Sequence, residues 1–373
     1  MIRLLRCPTT YAGLISASFL GTDKRTPLVR VGRLGGYTLR QLLLVICVIG
    51  IVLGMLRWLL GLEPRLERGY SKSYRVAAVA FSPNGELIAV TIDGGHIAVC
   101  SLRSQESEMV WYSWSASGVS FSPNGKQLIA TVNGKIKVLD LITEREDDTL
   151  SYCFDDALTA AFSPDGRFVV ISRPLGAIVG SRLMVLDIST QEVTATLVNE
   201  DGPIFLLGFS PDGEQVATNS IDGCLSAWNL TSGEREELQQ FPAGLTQVLI
   251  SPNWRLAATC NGWNGTLALW DVASGDKLAS ISDYAQGGGR VQFSPESNLI
   301  AASCNDRAIR LYDTKTGAIK AELKGILSYV TCLAFSPDGS HLACGYEDGT
   351  TSVWELATGK ESRISFRRTR NRG

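Results

Sequence analysis

The chain has 373 residues, with 35 Lys and Arg against 37 Asp and Glu and a formal net charge of −2 at pH 7. Near-neutrality excludes a global field that would recruit nucleic acid or an anionic surface. Only two histidines, His96 and His341, are present, which leaves little material for acid–base or metal chemistry, and 45% hydrophobic residues exclude wholesale disorder.

Residues 1–37 show no clear period and read as a basic, flexible arm. From Gln41 to Leu56 there are 16 residues without a charge. As a helix this run spans about 24 Å, short of a hydrocarbon core of about 30 Å. Continuation to Leu62 adds about 9 Å, with Arg57 able to snorkel and Trp58 suited to the interface. A single transmembrane α-helix is therefore expected over residues 38–62, in contact with the lipid bilayer. Its apolar character all round argues against an amphipathic core helix. A cleaved signal peptide is the weaker alternative, because no A-x-A-like site follows Leu62.

Seven basic residues precede the uncharged run Gln41–Leu56 and five follow it, through Arg75. The count leans towards a single-pass protein with its N-terminus on the cytoplasmic side. Seven cysteines downstream lean the other way, since oxidising compartments disfavour spare thiols. Gly50 and Gly54 form a G-x-x-x-G that could pair helices in a dimer, although ordinary glycine usage explains it as well. Residues 63–75 read as a linker.

A phrase then recurs: Phe81-Ser-Pro-Asn-Gly, Phe121-Ser-Pro-Asn-Gly, Phe162-Ser-Pro-Asp-Gly, Phe209-Ser-Pro-Asp-Gly and Phe335-Ser-Pro-Asp-Gly, with degenerate copies at Ile250-Ser-Pro-Asn and Phe293-Ser-Pro-Glu. The intervals between its seven prolines are 40, 41, 47, 41, 43 and 42 residues. A period near 42 points to a propeller with four strands per unit. Pro presets φ for a turn, Asp or Asn suits the next position, and Gly takes the left-handed conformation that closes a hairpin. Apolar runs flank the phrase, such as Val76–Phe81 before it and Glu86–Val90 after it. They suit strands buried on both faces. A third strand ends in an aromatic or leucine, then usually an acid: Leu139-Asp140, Leu186-Asp187, Trp228-Asn229, Trp270-Asp271, Tyr312-Asp313 and Trp354-Glu355. Unit one departs, with Cys100-Ser101.

On these residues, 76–366 resembles the WD-repeat family. The resemblance implies an all-β, seven-bladed β-propeller of four-stranded antiparallel blades, following the transmembrane helix. It also implies a protein-binding platform whose second-to-third and fourth-to-first loops share one face. The Gly-His pair common in the family is absent, with Gly325-Ile326 nearest to it. Turn acids or amides survive at Asp93, Asn133, Asp222, Asp306 and Asp348. Blades held chiefly by apolar packing are therefore expected. Fourth-strand candidates are Met109–Trp114, Glu192–Val198, Leu278–Ile281, Ile319–Leu323 and Arg363–Phe366. The last could complete the final blade, or a strand near Tyr70–Tyr74 could be borrowed to do so; closure by either route protects sheet edges.

Nine cysteines show neither C-x-x-C spacing nor a disulfide framework, and read as small buried strand residues. No G-x-S-x-G, P-loop, H-E-x-x-H or post-strand G-x-G-x-x-G occurs. His96 reads as a turn residue before a third strand and His341 as the start of a second strand. No cofactor, metal or catalysis is expected. Two places on the loop face are candidate contacts for protein partners. Unit three has extra residues within Arg173–Ser181, and Arg173, Pro174, Leu175, Ile178 and Val179 are its candidates. The second is Trp263, in Asn261-Gly-Trp-Asn-Gly265. Local packing is the plainer alternative for both. The basic tail 367–373 reads as solvated. The expected function is a membrane-tethered scaffold; the alternative is a propeller enzyme or small-ligand sensor with its site at the channel mouth.

Overall fold

The computed structural model describes residues 75–364, apart from 93–95, 104–106, 113–115, 133–134, 144, 148–158, 175–179, 200–201, 243, 286–288 and 327. The expected transmembrane helix at 38–62, with Gly50 and Gly54, lies outside the described residues, as do the basic arm and tail. Among the described residues no helix is long and apolar enough to cross a membrane.

Among the described residues, twenty-eight strands form seven four-stranded antiparallel sheets. Each sheet is an unbroken meander of the chain, its spatial order matching its sequence order. The blades span 76–112, 116–147, 159–199, 204–240, 247–281, 291–323 and 330–364.

The recurrent phrase is the hairpin between first and second strands. In blade 1 the Gly85 amide donates to the Ser82 carbonyl at 2.8 Å, and Gly85 sits at φ 71°. The serine does more than precede the proline. Its hydroxyl donates to the Asx carboxyl or amide oxygen and accepts from the amide five residues on. The first contact runs from Ser82 to Asn84 (2.6 Å) and, in blade 7, from Ser336 to Asp338 (2.6 Å). The second spans 2.8–3.0 Å across all seven blades. These serines are buried, so each unmade bond would strand a polar group. The degenerate copies keep the geometry at a conformational cost: Trp254 and Ser297 occupy the glycine place at φ 60° and 63°. In blade 6 Glu296 replaces the Asx, and Asn298 takes over as acceptor from Ser294.

The core consists of seven separate layers, one between each pair of adjacent blades. Strand periodicity makes this possible, because neighbouring residues face opposite blades. Ile300 packs towards blade 5 while Ala301 packs towards blade 7. The aromatic that ends a third strand always faces the preceding blade: Trp228 meets blade 3, Tyr312 blade 5 and Trp354 blade 6. Cys100, fully buried, holds this place in blade 1 and faces blade 7.

The ring closes where blade 7 meets blade 1. Among the described residues, Lys360–Ile364 pairs with Thr351–Glu355 and supplies the fourth strand of the last sheet, two to three residues earlier than Arg363–Phe366. The alternative strand near Tyr70–Tyr74 lies outside the described residues. Val76, Ile88 and Val90 pack on Ala343, Val353 and Ile364, and the Thr331 hydroxyl donates to the Val76 carbonyl at 2.6 Å. The first blade's fourth strand is Ser107–Tyr112, earlier than Met109–Trp114. Two fourth strands, Arg145–Asp147 and Arg235–Gln240, have no counterpart among the expected ones. His96 is the first residue of the strand His96–Ser101, so the turn assignment is corrected.

Candidate partner-docking face

In a four-strand meander, first and third strands run one way and second and fourth the other. The second-to-third and fourth-to-first connections of all blades therefore emerge on one face. Third-strand acids and the Ser-Pro turns serve the opposite face. There, Asp313 accepts from the amides of Lys315 (3.1 Å) and Thr316 (2.9 Å). These bonds, with the Thr316 hydroxyl, hold the Asp313 carboxyl below its ordinary range. The acid after the aromatic is thus a turn cap.

On the loop face, Trp263 is 85% exposed at the tip of the hairpin joining Leu256–Asn261 to Thr266–Asp271. Asn261 fixes that tip by accepting from the Trp263 and Asn264 amides at 3.0 and 3.2 Å. The indole is displayed, so local packing does not account for it. Ile221, Phe205 and Tyr329 are exposed on the same face. Phe205 and Ile221 rim a cleft of about 330 Å³ between blades 4 and 5, floored by Leu207, Leu245 and Val248. Asn219 and Gln247 also line it, and their buried side-chain oxygens lack hydrogen-bond partners. Apolar walls with a few polar acceptors are the usual make-up of a recognition cleft.

The expected contact at Arg173–Ser181 is placed differently. Arg173 and Pro174 are the last two residues of the strand Phe168–Pro174, paired with Arg182 and Ser181, so part of the insertion lengthens a hairpin instead of forming a loop. Arg173 is half-buried. Leu175, Ile178 and Val179 lie outside the described residues. Trp263 is therefore the expected contact that the structure displays on the face.

The loop face also carries a network that no motif announced. Arg310, with a side chain 13% exposed, pairs with Asp283 (3.1 Å), Asp306 and Glu322 (2.6 Å). Tyr312 donates to Asp283 at 2.8 Å. Asp283 and Asp306 come from the two loops of adjoining blades, so one guanidinium ties them together. The Arg310 hydrogen bond lowers the Asp306 carboxyl, and Arg310 itself is raised chiefly by the same contact. Elsewhere Trp228 Nε1 donates to Thr218 (2.9 Å) and Trp270 Nε1 to Thr259 (2.8 Å), while in blade 7 Trp354 Nε1 donates to the Tyr346 hydroxyl (3.5 Å), itself 2.6 Å from Ser352 Oγ.

Chemistry is sparse. Cys100, Cys224, Cys260, Cys304 and Cys344 are buried, and burial pushes the Cys260 thiol up to about 12, away from thiolate reactivity. Ser340 Oγ lies 2.7 Å from both Asp338 Oδ2 and His341 Nδ1. The serine stands between acid and imidazole, which is not the order a nucleophile needs. Among the described residues no group of three His, Cys, Asp or Glu side chains could hold a metal.

Residues 289–313 and 317–355 match the family described as WD domain, G-beta repeat. These stretches are similar to WD repeats. They cover the strands of blade 6 and most of blade 7, where the third strands end in Tyr312-Asp313 and Trp354-Glu355. Similar proteins include small ribosomal subunit protein RACK1y of Oryza sativa subsp. japonica, 30% identical over 150 residues, which are 38% of this chain and 44% of that protein. Striatin-4 of Homo sapiens is 28% identical over 152 residues, covering 38% of this chain and 20% of the relative. Protein groucho of Drosophila melanogaster is 25% identical over 147 residues, 37% of this chain and 20% of the relative. The chain thus spans less than half the length of these relatives. Among the described residues the fold is a seven-bladed propeller of four-stranded blades, similar to that of WD-repeat proteins.

Proposed function

We propose that the protein is a membrane-tethered scaffold that docks protein partners on the loop face of its WD-repeat propeller. The carrying observation is the set of aromatic and aliphatic side chains displayed there: Trp263 and Ile221 on second-to-third hairpins, Phe205 in the first strand of blade 4 and Tyr329 just before that of blade 7. Exposed aromatics on a fixed frame supply large contact area at small entropic cost, the property of interface anchors. The tether rests on the uncharged run Gln41–Leu56 and its flanks, which suit one bilayer-spanning helix with the N-terminus inside. Gly50 and Gly54 would give that helix a face for pairing with a second copy.

The test is site-specific crosslinking of the full chain in cells, with a photoreactive residue at Ile221 or Trp263 and, as control, at Ile142. Ile142 is equally exposed but sits on the opposite turn face. Discrete adducts from the first two sites, lost with Trp263→Ala, are expected. Adducts only from Ile142, or none, refute the docking face. Carbonate extraction that releases the chain from membranes refutes the tether.

A further inference from the structure

A second cleft opens on the loop face where blades 6, 7 and 1 meet, and its character differs from that of blades 4 and 5. Its volume is about 460 Å³. Three guanidiniums line it, Arg75, Arg290 and Arg307, against one carboxylate, Glu347. Arg75 precedes the first strand of blade 1, Arg290 precedes that of blade 6, and Arg307 lies in the second-to-third loop of blade 6. The folded ring brings together arginines more than 200 residues apart in the chain.

Their placement is defined. Arg290 Nε donates to the Thr331 carbonyl, which fixes the side chain while its terminal nitrogens remain as donors. Arg307 stacks over the Tyr329 ring at 5.3 Å. Among the described residues, the ion pairs that hold Arg167, Arg235 and Arg310 have no equivalent at Arg75 or Arg290. A positive recess with planar, bidentate donors and one aromatic wall is complementary to carboxylates.

We propose that this cleft binds an acidic peptide segment of a protein partner, with carboxylate side chains seated on Arg75, Arg290 and Arg307. The proposal rests on the docking-face reading and gives the partner its chemistry. Arg290 anchors the carboxylate nearest the channel. Glu347 opposes binding by like charge and so limits the affinity of the site. Tyr329 covers the outer end of the bound segment.

The probe is a capped, fluorescein-labelled penta-glutamate peptide, with penta-glutamine as its neutral partner. Fluorescence anisotropy is measured with the full chain in non-ionic detergent. Saturable binding of the glutamate peptide alone is expected, weakening as salt rises from 50 to 300 mM because the contacts are ionic. Arg290→Ala and Arg75→Ala should each weaken it about tenfold or more, the usual scale for a lost charge-assisted contact. Arg255→Ala, an exposed arginine on the turn face, should leave it unchanged. Glu347→Gln should tighten binding severalfold, a gain that misfolding cannot imitate. Absent binding, equal binding of penta-glutamine, or indifference to the arginine variants and Glu347→Gln would overturn the proposal. So would displacement of the peptide from a site that phosphatidylserine vesicles occupy with higher affinity, which would assign the recess to a lipid surface. None of these outcomes touches the crosslinking at Ile221 and Trp263, so the docking face can stand while this assignment falls.

Discussion

Ring closure depends on a backbone approach that only glycine permits. Gly345 lies in the second strand of blade 7, and a Cβ there would come within 2.8 Å of Val76 Cβ and nearer still to Val76 Cγ1 and Cys332 Sγ. Val76 is fully buried and stiff at χ1, so it cannot swing clear. Overpacking of this kind costs about 1–3 kcal/mol. At roughly 2 °C per kcal/mol for a domain of this size, Gly345→Ala should lower the melting midpoint by about 2–6 °C. Val76→Ala alone removes two buried methyl groups and should cost roughly 1–2.5 kcal/mol. The double variant should lose less than the sum, by at least about 0.5 kcal/mol, because the smaller side chain makes room for the new methyl. Gly118→Ala, with nothing within 4 Å of the added atom, is the control and should change little. Thermal unfolding of the full chain followed by circular dichroism measures all four. Strict additivity, or an unchanged midpoint in Gly345→Ala, would refute a tight seam between blades 7 and 1.

Thr218→Val strands the buried Trp228 Nε1–H and should destabilise by about 1–3 kcal/mol, whereas Trp228→Phe with Thr218→Val together should cost less than the two singly; denaturant melts of the three variants check this. Arg310→Met leaves Asp283, Asp306 and Glu322 facing one another and should destabilise by about 1–3 kcal/mol, moderated by their partial exposure and reduced by high salt, as melting at two ionic strengths would show. The turn acids predict acid sensitivity. Hydrogen bonds from Ser336 and Ser340 lower Asp338 to about 2, and serine contacts likewise lower Asp165 and Asp212. A depressed folded pKa gives stability that is full above the unfolded value near 4 and is lost as pH falls towards 2. Replacing the three with Asn, as blades 1, 2 and 5 already have, should flatten the decline of the melting midpoint between pH 5 and 2.5.

The architecture was legible because its chief signal is periodic: seven Ser-Pro turns at a near-constant interval can hardly mark anything but repeated hairpins. Strands buried on both faces announce themselves as apolar runs. Outer strands do not. Arg235–Gln240 reads Arg-Glu-Glu-Leu-Gln-Gln, and only one edge of it needs to be apolar, so composition offered no cue. The serine of the turn was visible but its hydrogen-bonding role was not, since that depends on burial. Trp263 was found because its flanking Asn-Gly pairs mark a tight tip. Arg75, Arg290 and Arg307 could not be associated from sequence, as nothing in a linear reading tells which blade will lie beside the first. The Arg310 network escaped for a related reason: Asp306 was noticed as a turn acid, but Asp283 and Glu322, which share the same guanidinium, come from separate segments.

Because each sheet is made from a continuous stretch, a nascent chain can form every blade within about forty residues of starting it. The flanks are another matter. Val76, Ile88 and Cys100 are covered by blade 7, with Ala343, Val353 and Ile364 packed on them. With some 250 residues of translation between them, at about 5–20 residues per second, the greasy side of the earliest blade waits roughly 15–50 s for its cover. During biogenesis that side is the surface a chaperone would meet until the closing strand of blade 7, which ends at Ile364, covers it.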